Sequence, residues 1–86
     1  MSHTEQSLEA LGKFETLIIS NGFLSNSVKG KVITQIDSIK QEFDRDKLVL
    51  IAQSCEEIRQ ALSNHVFLSE EFQKVASGLL KSVVPY

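Results

Sequence analysis

Few side chains in this sequence have the types and spacing that chemistry requires, and each has a structural reading beside the chemical one. His3 and His65 are the only histidines and Cys55 the only cysteine. A structural zinc site needs about four nitrogen or sulfur ligands, and these three share no ligand-like spacing. Neither a metal nor a cofactor is expected. Cys55 falls on an apolar helical stripe, where a thiol is ordinarily buried and inert. The pairs Glu56-Glu57 and Glu70-Glu71 are adjacent, so on a helix their carboxylates point about 100° apart and cannot flank one substrate as acid and base. Asp44 and Asp46 resemble the start of a calcium loop, but the glycine and distal glutamate are missing, and either aspartate suits a helix cap better. No serine stands in a glycine-flanked elbow. A phosphotransfer bundle would need an exposed mid-helix histidine, and His65 lies at a helix end. No catalytic residue is assigned, and the chain is not expected to be an enzyme.

Binding by surface remains. The run Asn64-His65-Val66-Phe67-Leu68 places three bulky apolar side chains in a link between helices, where they either plug the end of a bundle or face a partner. Phe23-Leu24 poses the same alternative in an earlier link. Asn64, His65, Val66, Phe67 and Leu68 form the candidate partner-binding set.

The elements that position these residues follow from apolar periodicity. Leu48, Ile51, Cys55, Ile58 and Leu62 alternate in steps of three and four, which draws one stripe down a helix of about four turns. Val49 and Leu50 beside it predict first turns that are apolar nearly all round, making this the most buried element. Gln53, Glu56, Arg59, Gln60 and Ser63 form its wet face, with Glu56 and Arg59 spaced to pair. An earlier helix carries Leu8, Leu11, Phe14 or Glu15, and Ile18, begins at the Ser2/Glu5 capping box and stops at Asn21-Gly22, where glycine can adopt the left-handed closing conformation. A second helix, capped by Ser27, turns Val28, Val32, Ile36, Ile39 and Phe43 inward, with Ile33 widening the stripe. Its β-branched residues would suit a strand, but their period is helical. Ser69 caps a last helix with Glu70 and Glu71 in its first turn, and Phe72, Val75, Ala76, Leu79 and Val83 inward, with Leu80 adjacent. Pro85 is expected to end the ordered chain.

The predicted helices span about 4–20, 28–43, 47–63 and 70–83. Short links between amphipathic helices require antiparallel neighbours. The expected fold is therefore all-α, an up-down-up-down four-helix bundle forming a single domain over residues 1–86.

Composition narrows function by exclusion. With 86 residues, 42% of them hydrophobic and 23% charged, the chain has the make-up of an ordered globular domain. Its formal charge of −2 comes without a cluster of lysine and arginine, so nucleic acid is not an expected partner. Two lysines at Lys29 and Lys31 read as a solvated helix start. A single cysteine permits no intrachain disulfide. The polar stretch Met1 to Gln6 has no secretion signal, and no window approaches the roughly 20 apolar residues of a membrane span. A cytoplasmic location is the expectation.

The order of motifs resembles a family. Leu8-x-x-Leu11-x-x-Phe14-x-x-Leu17-Ile18 is followed by a polar link, an apolar helix, Leu48 through Glu57-Ile58-Arg59, and Asn64-His65-Val66-Phe67-Leu68 before an acidic helix start. Over about residues 8 to 83 this is similar to the small immunity proteins of pediocin-like bacteriocins. The resemblance implies a cytosolic four-helix bundle that protects its producer from a cognate pore-forming peptide. It also implies action from inside the cell at the mannose phosphotransferase permease that the peptide uses as receptor, with specificity carried by the C-terminal half, here Asn64 to Val83. Members often continue past the fourth helix, whereas this sequence stops at Tyr86. The alternative is a small helical adaptor or regulatory protein that acts through protein contacts, as a monomer or a homodimer.

Overall fold

The computed structural model describes residues 3–64 and 69–84. Within them the chain forms four α-helices and no strand: α1 (His3–Ser20), α2 (Asn26–Gln41), α3 (Leu48–Ser63) and α4 (Glu70–Val83), with a 3-10 turn at Arg45–Lys47 leading into α3. Each helix packs on its chain neighbours, and α1 packs on α4 most extensively of all, which closes the ring. The long dimension of 35 Å is little more than one helix length, since 16 to 18 residues at 1.5 Å each span about 24 to 27 Å. This is the expected antiparallel four-helix bundle.

The core is one cluster drawn from all four helices. Leu11, Phe14 and Ile18 of α1 meet Val32, Ile36 and Ile39 of α2, Ile51, Cys55, Ile58 and Leu62 of α3, and Ala76, Leu80 and Val83 of α4. Of the two side chains that the α1 pattern left open, Phe14 is fully buried. Glu15 lies outside the core and pairs with Lys40 of α2 at 3.1 Å. The β-branched stripe of α2 is helical, as its period required.

Five local expectations are corrected. The N-cap of α2 is Ser25, whose hydroxyl accepts from the Val28 amide at 3.3 Å, so the helix begins before Ser27. That helix ends at Gln41; Phe43 lies beyond it but packs against the core as expected, with its ring 6.4 Å from that of His3. Asp44 caps the 3-10 turn by accepting from the Asp46 amide at 3.0 Å, whereas α3 itself starts with no side-chain cap. Val49 and Leu50 are 64% and 59% exposed, so the first turns of α3 are not buried all round. At 100° per residue Val49 lies on the far side of the helix from the Ile51–Cys55–Ile58–Leu62 line, and Leu50 lies at its flank, at the edge of the groove between α2 and α3. In α4 Phe72, Ala76, Leu79 and Val83 face the core as expected, adjacent Leu80 is buried with them, and Val75, one step round from Ala76, is exposed. Ser69 caps this helix as expected, accepting from the Phe72 amide at 3.2 Å. Ser2 and Pro85 lie outside the described residues.

The contact between α1 and α4 rests on small side chains and one buried hydroxyl. Ala10 and Ala76 are buried, and Ser7 is fully buried with its Oγ donating to the carbonyl of Val83, the last residue of α4, at 3.0 Å. With the hydroxyl proton committed there, His3 Nε2 is the donor in the 3.2 Å bond to the same oxygen. His3 is thus held in the first turn of α1. Replacing Ser7→Ala leaves the Val83 carbonyl without this donor and is expected to cost about 1–3 kcal/mol, read from urea unfolding followed by circular dichroism. Ile58, fully buried at the centre of the α3 stripe, is expected to lose about 2–5 kcal/mol on Ile58→Ala in the same measurement; an unchanged midpoint would remove it from the core.

Candidate functional site

The antiparallel arrangement brings the link between α1 and α2 to the same end of the bundle as the C-terminus of α3 and the N-terminus of α4. At this end Asn21 shapes the first link. Its side-chain oxygen accepts from the amides of Phe23 at 2.8 Å and Leu24 at 3.1 Å. The chain turns through this side-chain closure, and Gly22 does not adopt the left-handed conformation expected of it. The turn divides the apolar pair. Leu24 is 5% exposed and belongs to the core, whereas Phe23 is 78% exposed. Ile19, in the last turn of α1, is 55% exposed as well. Lys29 Nζ donates to the Ile19 carbonyl at 3.1 Å, tying the start of α2 to the end of α1.

On the other side of this end, Asn64 follows α3 and is exposed, with its amide bonded to the Gln60 carbonyl at 3.2 Å. Gln73 Nε2 of α4 donates to the Leu62 carbonyl at 3.2 Å, which fastens the two helices beside the link. Of the candidate partner-binding set, the structure places Asn64. His65, Val66, Phe67 and Leu68 lie outside the described residues.

The remaining candidates for chemistry are not brought together. Cys55 is buried between α3 and α4, and burial pushes its thiol up to about 11. At neutral pH it is a protonated core side chain. Glu56 and Arg59 pair as their spacing predicts, with Arg59 Nε donating to Glu56 Oε2 at 2.9 Å and Nη2 donating to Oε1. The hydrogen bond from Arg59 holds the Glu56 carboxyl below its usual range, and both groups stay in solvent. Glu70 and Glu71 occupy the first turn of α4, where negative charge suits the helix dipole. Among the described residues no group of His, Cys, Asp and Glu is arranged to hold a metal ion.

Open grooves run between the helices. One of about 190 Å³ between α3 and α4 has Cys55, Leu80 and Val84 at its floor and Arg59 and Lys81 at its rim. Another of about 140 Å³ lies between α2 and α3, where Ile39 and Ile51 meet the exposed side chain of Leu50. Ser7 was absent from the sequence reading although a signal for it exists: positions 7, 11, 14 and 18 continue a four-three-four spacing onto which a polar residue falls. A serine on a core stripe must find a partner, and here it is the far end of the chain.

Comparison of the chain with protein-family models, curated proteins and solved structures finds no match. Among the described residues no helix is long and apolar enough to cross a membrane.

The division of the first link predicts opposite outcomes for neighbouring substitutions. Phe23→Ala is expected to change unfolding free energy by no more than about 0.5 kcal/mol, whereas Leu24→Ala is expected to lose about 2 kcal/mol or more. Thermal and urea unfolding of the two variants decide this.

Proposed function

We propose that this protein is a non-enzymatic binding module that gives its cell immunity to a pore-forming peptide of the pediocin-like class, acting from the cytosol at the peptide's membrane receptor. The motif order from Leu8 to Val83 motivates the specific form of this reading. The observation that carries it is Phe23, a large aromatic held 78% exposed by the Asn21 turn at the end of the bundle where α3 also meets α4. An exposed aromatic on a backbone held by the Asn21 side chain offers contact area with little backbone entropy left to lose on binding. The receptor proposed is a mannose phosphotransferase permease carrying bound peptide, and the specificity determinant is placed in residues 64 to 83.

The exposure of Val49 and Leu50 favours a second reading, a helical adaptor that covers the first turns of α3 with another protein. Survival separates the two. A Gram-positive strain sensitive to pediocin-like peptides, expressing this protein in its cytosol, is expected to survive at least one peptide of a panel. That protection is expected to be lost in Phe23→Ala, and lost when residues 64 to 83 are exchanged for those of an immunity protein of different specificity. Killing by every peptide, with folded protein confirmed in the cells, would turn the assignment to the adaptor.

A further inference from the structure

The face between α2 and α3 lies away from the link end and has no role in the immunity reading. Its groove has an apolar floor, Ile39 and Ile51, each under 10% exposed, and Leu50 stands at its edge. Val49 projects into solvent beside it. The same groove is lined by one acid and one base, Glu42 after α2 and Lys47 before α3, and neither enters an ion pair among the described residues. Exposed apolar side chains next to an apolar hollow with one charge of each sign make a surface that can complement itself. In a two-fold contact residue i meets j and j meets i, so each such pair forms twice.

We propose that two copies of this chain associate through this face. Leu50 of one copy seats over the groove between α2 and α3 of its partner, and Glu42 of each copy opposes Lys47 of the other. The adjoining turn adds Asp44, Arg45 and Asp46, a net charge of −1 per copy, because Asp44 stays ionised while it caps the turn; the repulsion this sets across the two-fold is expected to be screened by salt. A second copy suits this face better than an unrelated partner because both halves of the contact, projecting leucine and lined hollow, are already present on it. Two exposed apolar side chains make a modest contact, so association depends on concentration.

Sedimentation velocity of the full chain between about 5 and 500 μM is expected to show a reversible monomer–dimer equilibrium. Leu50→Glu, at a position already open to solvent, is expected to raise the dissociation constant at least tenfold while helicity and melting temperature stay unchanged. Lys47→Glu is expected to weaken the dimer, and the double variant Glu42→Lys/Lys47→Glu, which restores opposite charges across the two-fold, to recover it. A wild-type protein that stays monomeric throughout this range would overturn the proposal. So would a dimer indifferent to Leu50→Glu, or a charge reversal that does not recover association. Survival against the peptide panel is a separate readout, so failure of either idea leaves the other to its own test.

Discussion

The bundle depends on the hydrogen bond between the first turns of the chain and its last helical residue. The Ser7 hydroxyl meets the Val83 carbonyl at 3.0 Å in a site closed to water, at the base of the most extensive helix contact in the molecule. A helix leaves its last four carbonyls without intrahelical partners, and burying one of them unpaired would cost more than the bond itself contributes. Ser7 resolves this for α4 and in doing so fixes the register of α1 against it. Ala10 and Ala76 then let the two helices approach closely, and the larger side chains Leu11, Phe14 and Leu80 fill the centre.

The same device recurs at other helix ends. The carbonyl of Ile19 near the end of α1 receives Lys29 from α2, and that of Leu62 near the end of α3 receives Gln73 from α4. Each donor belongs to the helix that follows, so helix ends are satisfied by tertiary neighbours as well as by local caps. A core drawn from a chain this short has little stability to spare. Bonds that join consecutive helices at their ends restrict fraying, and they hold the links in defined positions. The consequence for function is that Phe23 is presented by an anchored turn, with Asn21 on one side and buried Leu24 on the other.

Two surfaces of different character result. At the link end, an aromatic and an isoleucine stand exposed beside polar helix starts. At the opposite end of α3, Val49 and Leu50 stand exposed beside a hollow flanked by charges of both signs. Their separation along the bundle allows one to serve the immunity reading while the other serves self-association, without competition for the same side chains.

What the sequence determined by itself was the number of helices, their approximate limits and most of the core. Stripes such as Ile51, Cys55, Ile58 and Leu62 have one period, and only a helix puts them on one face. Short links then left antiparallel packing as the available topology. The Ser69 cap and the Glu56–Arg59 pair were legible too, because partners three residues apart are determined within one turn. The tertiary structure alone decided which apolar residues next to a stripe go inside. Leu24 is buried and Phe23 exposed because the turn closed by Asn21 directs one toward the core and the other away from it. Leu80 is buried and Val75 exposed because the two differ in rotation about a helix axis whose setting depends on the neighbouring helices. Val49 and Leu50 read as core by composition and lie outside it for the same reason. Part of the candidate site was legible as an apolar link, but its exposed member Phe23 was not distinguished from its buried neighbour. The closure of α1 by Asn21 rather than Gly22 is local, made with amides two and three residues on, whereas the partnership of Ser7 with a residue 76 positions away is set by three-dimensional contacts that local pattern does not encode.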